Sequence, residues 1–196
     1  MMAAIFMVFT AGGARLDANN ANIYGCIVQL SVTTRFSRGS DDVRFVALRM
    51  GGDQMMIEPA RHVARELAGR GQPVYEFRFS YVAESIRAQS GGVMGAMHAS
   101  DIPFALDTVA TKYGKDLTGN DAAAGRAMNA YWVAFTKTGK PEAPRQPAWA
   151  AYDSKTDGIM NFTNSGPVAG ADPWKARLDL AQAVSKAKQH GAAGER

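Results

Sequence analysis

Of the three histidines in this chain of 196 residues, one stands where chemistry is expected. His98 lies in Gly95-Ala96-Met97-His98-Ala99-Ser100-Asp101-Ile102-Pro103-Phe104, directly after the glycines Gly91 and Gly92. That glycine-rich stretch follows the strongest strand in the sequence, so the chain there is presented near a strand's carboxyl end. In open α/β sheets that is where sites collect. An imidazole so placed is a candidate for proton transfer near neutral pH, although a loop histidine can also be a plain surface residue. His62, beside Val63 and Ala64 on a helical segment, reads as a partly exposed structural histidine, and His190 falls in a polar tail. Cys26 is the only cysteine, which excludes an intramolecular disulfide and any multi-cysteine metal site.

The elements that must hold His98 are legible from residue 51 onward. Gly51-Gly52-Asp53 reads as a turn, and Glu58-Pro59 opens a helix, proline being tolerated at the first helical position. Ile57, Ala60, Val63, Ala64, Leu67 and Ala68 form its apolar face, with Arg61, Arg65 and Glu66 expected largely off that face. Gly69, Gly71 and Pro73 end it. Val74 to Val82 is an aromatic and β-branched strand, with Glu76, Arg78 and Ser80 alternating against Tyr75, Phe77, Phe79 and Tyr81. Helix, tight turn and strand make an α/β unit. Glu84 to Met97 reads as a loop. A second helix is expected from about Asp121 to Thr138, with Met128, Trp132 and Phe135 toward the core. Gly158 to Thr163 reads as a short edge strand. Asp172-Pro173 caps a last helix whose stripe is Trp174, Leu178, Ala181 and Val184, and the tail from Lys186 to Arg196 is expected to fray.

The first 50 residues are less informative. Met1 to Phe9 is wholly apolar but too short to span a bilayer. With Ala11-Gly12-Gly13-Ala14 it imitates a signal peptide weakly, because no Lys or Arg precedes it. The compartment, cytoplasmic or secreted, is therefore left open. Ile23 to Thr34 and Val43 to Leu48 read as strands.

The run around His98 resembles the histidine motif of the type-B carboxylesterases, the α/β-hydrolase family that includes the cholinesterases. The surroundings agree in order. Asp53 to Leu67 is similar to the helix before the family's last core strand, and Pro73-Val74-Tyr75-Glu76-Phe77-Arg78-Phe79 to that strand. Ala130 to Phe135 with Thr138-Gly139-Lys140-Pro141 resembles the helix after the histidine loop. Pro147 to Tyr152, Met160-Asn161-Phe162 and the C-terminal helix complete the likeness. The resemblance implies a partial α/β-hydrolase. Residues 51–185 would be its C-terminal strands, histidine loop and covering helices, 1–50 an unassigned N-terminal segment and 186–196 a polar tail.

The resemblance also implies a role for each site residue. His98 would be the general base of a Ser-His-acid triad, taking the serine proton and later protonating the leaving alcohol. Asp101 matches an acidic position of the family and would support the site; as a bare residue it reads equally as a loop or cap aspartate. Phe104, Met97, Tyr81 and Phe79 would line an apolar acyl or alcohol pocket, with core packing the stronger reading for the last two.

The sequence also departs from the family. No serine is flanked by glycines at both i−2 and i+2, so the nucleophile elbow Gly-x-Ser-x-Gly is absent and the nucleophile is not identified. Ser80, Ser85, Ser90 and Ser100 read as strand or loop residues, and neither Gly12-Gly13 nor Gly51-Gly52 has the context of an oxyanion hole. Asp41 or Asp42, in Gly39-Ser40-Asp41-Asp42, is the remnant conceivable for the triad acid. Two functions follow: a carboxylic ester hydrolase acting on a small-molecule ester, or a non-catalytic esterase-derived interaction module. No cofactor or metal is implied.

Composition bounds the partners. Hydrophobic residues make up 46%, which suits a globular chain rather than a disordered one. The 22 Lys and Arg interleave with 18 Asp and Glu for a net charge of +4, without the contiguous basic stripe that nucleic acid binding needs. A partial sheet would expose the edge that upstream strands normally cover, so self-association is expected unless strands such as Ile23 to Thr34 cover it.

Overall fold

The computed structural model describes residues 8–10, 52–90 and 95–194. Asp41, Asp42, Cys26 and the strands expected at 23–34 and 43–48 lie outside the described residues.

A four-stranded mixed sheet runs in the order β1 (Val8–Thr10), β2 (Val74–Phe79), β3 (Gly158–Thr163) and β4 (Gly166–Ala171). β1 pairs antiparallel with β2 in the register Val8↔Glu76 and covers three residues of its edge. β2 and β3 are parallel, Phe77 opposite Met160, and β3 and β4 form an antiparallel hairpin. β3 is therefore an interior strand. The expected edge lies one strand further out at β4, whose last four residues are exposed.

Six helices accompany the sheet among the described residues. A π-helical turn, Asp53–Ile57, leads into α1 (Glu58–Gly69). α2 (Glu84–Ser90) occupies half of the stretch expected to be a loop; its polar Glu-Ser-Ile-Arg-Ala-Gln-Ser sequence has no apolar period to announce it. α3 (Ile102–Ala105) and α4 (Val109–Tyr113) are short and follow the histidine turn. α5 (Gly119–Thr138) spans 20 residues. Thr118 and Asp121 form a capping box at its start, and Gly139 in the left-handed conformation (φ 75°) ends it. α6 (Lys175–Gly194) continues through the tail that composition marks as frayed. Asp172 still acts at its entry: its carboxylate accepts the Trp174 N–H at 2.7 Å. No helix among the described residues is long and apolar enough to cross a membrane.

β2 divides the interior. Tyr75, Phe77 and Phe79 enter the main core with Met160, Phe162, Met128, Tyr131 and Trp149 beneath α5. Val74 instead packs with Ala64 and Tyr152 against α1, and Ile159 of β3 joins Ile57, Ala60 and Leu178 between α1 and α6. Every side chain of β2 is buried, including Glu76 and Arg78 at 1% exposure each. The alternation along β2 thus separates two buried faces instead of a core face from a wet one. Arg61, expected off the apolar face of α1, is likewise 1% exposed.

The reason is a polar layer assembled from residues far apart in sequence. Arg78 donates to both oxygens of Asp172 at 2.6 and 2.7 Å, and its guanidinium lies 3.5 Å from the ring centre of Trp174. Arg61 donates to Asp179 at 2.8 Å, and Arg65 to both oxygens of Asp157 at 3.0 and 2.9 Å. Tyr152 donates a short hydrogen bond to the same carboxylate. Asp157 reaches this position from a left-handed turn (φ 48°), a conformation aspartate adopts more readily than most residues.

Candidate active site

β2 ends at Phe79, and the Ser80 N–H donates to Phe162 O at 2.8 Å, holding the exit of β2 against that of β3. Tyr81 O–H then donates to Asp121 at 2.8 Å, and the Glu84 N–H donates to the same oxygen at 3.1 Å. Burial and the bond to Asp121 hold the Tyr81 phenol above its ordinary range. The fully buried Asp121 so pins the end of β2 and the start of α2 to the N-terminus of α5.

The histidine turn emerges beyond α2. Gly95 takes a left-handed conformation (φ 58°), Ala96 is buried, and Met97 and His98 are exposed. Ala99 is also left-handed (φ 63°), which costs a residue with a Cβ about 1–2 kcal/mol. The Ser100 N–H closes the turn onto Met97 O at 3.1 Å. Asp101 then points inward and starts α3: its carbonyl accepts from the N–H groups of Phe104 and Ala105 at 2.9 Å each. α3 is fixed from outside by Asn129, whose Nδ2 donates to Ala105 O at 2.7 Å.

The two residues singled out in this motif end in opposite environments on one turn. His98 faces solvent, and among the described residues no carboxylate hydrogen-bonds its ring. Asp101 is 0% exposed, and neither of its carboxylate oxygens makes a hydrogen bond. Burial pushes its pKa up to about 6, with the nearby backbone N–H groups of Asp101 and Ile102 working the other way. The Ser100 hydroxyl beside it is buried and unpaired as well. Buried polar groups in folded proteins are almost always satisfied, so a neighbouring hydroxyl and carboxyl without partners, two and three residues after an exposed histidine, are a feature of this turn.

The apolar residues expected around the site divide. Phe104 is 1% exposed and packs on Phe79 and Tyr81, with ring centres 5.2 and 5.1 Å apart, so it belongs to the core rather than to a pocket wall. Phe79 and Tyr81 combine both roles, since one side of each lines a cleft at the carboxyl ends of β2 and β3. Met97 is 47% exposed. Sequence reasoning missed the buried unpaired carboxyl of Glu76 on the other face of β2; an isolated glutamate in a strand gives no sign that both sheet faces are covered. Burial, with the charge of Asp172, raises Glu76 to a pKa of about 8.

A model of the carboxylesterase family matches residues 28–179. The chain belongs to the carboxylesterase family. It is 29% identical over 104 residues to pyrethroid hydrolase Ces2a of Mus musculus, which covers 53% of this chain and 18% of that protein. It is 26% identical over 126 residues to phenmedipham hydrolase of Pseudarthrobacter oxydans, covering 62% and 24% respectively. Among solved structures it resembles the carboxylesterase EST55 of Geobacillus stearothermophilus with a TM-score of 0.59 and 24% identity, over 74% of this chain and 29% of that one. The fold is thus a partial α/β-hydrolase, and the chain spans about a fifth to a quarter of the length of these curated carboxylesterase relatives.

Proposed function

We propose that this carboxylesterase-family chain serves hydrolysis of small, uncharged carboxylic esters, with His98 as the general base and Asp101 as its positioning residue. The observation that carries the reading is the turn itself: an exposed imidazole between two left-handed residues, three positions before a fully buried carboxyl with no side-chain partner. In the reaction a serine Oγ attacks the ester carbonyl carbon while the imidazole takes its proton. The tetrahedral intermediate collapses, the imidazolium protonates the departing alkoxide, and an acyl-enzyme remains. Water attacks next, giving one proton to the same imidazole; the acyl–Oγ bond then breaks, the imidazolium returns that proton to Oγ, and the carboxylic acid leaves. The serine is unassigned, because no Gly-x-Ser-x-Gly stands in the sequence. Asp41 or Asp42 is our candidate for the acid that orients the imidazole.

The test is hydrolysis of 4-nitrophenyl butyrate by the purified chain. His98→Ala is expected to lower the rate at least 100-fold, the usual contribution of a general base. Equal rates for the wild type and His98→Ala overturn the assignment. Asp101→Asn is expected to keep the fold and displace the pH profile of kcat, whereas a purely structural Asp101 would alter stability and leave the profile in place.

The missing elbow favours one alternative, a non-catalytic module built on the esterase fold. A serine-directed fluorophosphonate separates the two. Stoichiometric labelling of one serine identifies the hydrolase, and an unlabelled chain without esterase activity identifies the module.

A further inference from the structure

We infer that the cleft where β2 and β3 end is a binding site for a small uncharged molecule with an aromatic or short aliphatic body and one hydroxyl or carbonyl group. It is separate from the histidine turn, since no residue of 95–101 lines it. The inference does not rest on the esterase reading.

Three observations converge. First, position: the cleft opens between α5 and the β3–β4 turn, beside the carboxyl ends of the parallel pair, the crevice in which α/β folds hold ligands. Second, lining: the floor is Phe79, Tyr81, Met128 and Phe162, and none of the described lining residues is Asp, Glu, Lys, Arg or His. An ion entering would lose its hydration and gain no counter-charge. Third, the polar atoms of the walls are mostly committed. The Asn164 side chain donates to Val82 O at 2.8 Å and accepts from Val82 N–H at 3.3 Å. Thr163 Oγ1 donates to Gly166 O, and Tyr81 O–H serves Asp121. What remains for a ligand is an aromatic floor and, at the rim, the Ser165 hydroxyl and the Asn120 amide oxygen; Asn120 Nδ2 is held by Glu84 at 2.8 Å. One polar group on an apolar body is the complement of that surface.

Size narrows the class. The volume of about 230 Å³ lies below the roughly 300–1,000 Å³ of pockets for drug-sized ligands, so a single ring or a short chain fits and a polycyclic body does not.

The experiment is an NMR titration of the labelled full chain with 4-methylphenol, and with 4-methylbenzoate as its charged counterpart. Saturable amide shifts confined to residues 120–128 and 162–167 are expected for the phenol, at least tenfold weaker for the benzoate. Ala127→Leu, which fills the cleft from α5, should weaken phenol binding at least tenfold with the remaining spectrum unchanged. If that variant is misfolded, Ser165→Ala at the exposed rim replaces it, with a smaller loss of about threefold expected. His98→Ala should bind as the wild type does. Linear unsaturated shifts, equal binding of benzoate, full affinity in the folded variant used, or loss of binding in His98→Ala each overturn the inference.

Discussion

The two faces of β2 solve the same problem in opposite ways. Toward α5, Phe77 sits among Trp132, Trp149 and Phe162 at ring separations of 5.0 to 6.0 Å, mostly edge to face, and the layer gains from area and dispersion. Toward α1 and α6, Arg78 pairs with Asp172 and Glu76 is buried beside it, in a polar layer that also pairs Asp53, Asp157 and Asp179 with Arg61, Arg65, Lys175 and Arg177. The aromatic layer tolerates small shifts, because its stability is spread over many individually weak contacts. The charged layer does not, because burying an ion is costly unless its partner is in place. One face supplies stability, whereas the other makes stability depend on pH and on the pairing of each charge.

The largest effect expected is on the aromatic side. Phe77→Ala removes a ring that is 0% exposed and should destabilise the chain by about 3–5 kcal/mol, read as a lower urea midpoint. A change under about 1 kcal/mol would mean that the face is loosely packed and that the comparison with the charged layer fails.

On the charged side, Asp172→Asn keeps the shape and the oxygen that accepts the Trp174 N–H, but removes the charge facing Arg78. Arg78 is already held down to a pKa of about 10, chiefly by burial and despite Asp172. Removing that counter-charge should cost about 3 kcal/mol, the lower end for a broken buried pair because one acceptor remains. Substituting Arg78→Met and Asp172→Asn together should recover part of that loss, since the buried guanidinium charge is removed along with its counter-charge; a double variant no more stable than Asp172→Asn would contradict this.

Glu76 supplies the pH signature. Its folded pKa lies near 8 against an ordinary value of 4.5, so the folded chain keeps a proton that the unfolded chain has released. Its contribution is whole below about pH 4.5, declines as pH rises, and is gone above about pH 8. Asp157 has the reverse sign. Burial works to raise it, but the bond from Tyr152 and the charges of Arg65 and Arg61 win, so it is lowered and its contribution is lost in acid. The polar layer should therefore be most stabilising in mildly acidic solution. Glu76→Gln is expected to match the wild type near pH 5 and to exceed its Tm at pH 8, by about 2–4 °C for each kcal/mol recovered. Parallel Tm profiles for the two proteins would show that Glu76 finds a partner on ionising.

The same contrast explains what could be read in the sequence. α1, β2, α5 and the histidine turn were legible because each carries a local period, a cap or a motif: Ile57 to Ala68, the aromatics of β2, Met128 to Phe135, and the glycines before His98. Burial of Arg61 was not, because its partner Asp179 is 118 residues away and nothing local announces it. β4 was missed because Gly-Pro-Val-Ala-Gly-Ala has almost no intrinsic strand preference; pairing with β3 makes it a strand. Of the proposed site, the turn carrying His98 and Asp101 could be located from its glycines and its motif, whereas the burial that raises Asp101 has no local signal in the sequence. The cleft has no signature at all, since its lining comes from β2, α5 and the β3–β4 turn.

The smallest effect is the control that sharpens the comparison. Glu66 and Arg70 pair at 3.7 Å across one turn of α1, with side chains 56% and 69% exposed. The charges are those of the buried layer and the sequence order is the favourable one, glutamate first. Water already solvates both ions, so little is gained when they meet and little is lost when they part. Glu66→Ala should change stability by no more than roughly 0.5 kcal/mol, and added salt should remove even that. Since Ala is the better helix former, the sign itself can reverse. If Glu66→Ala cost as much as Asp172→Asn, burial would not be what sets the strength of these pairs, and the pH dependence assigned to Glu76 would lose its physical basis.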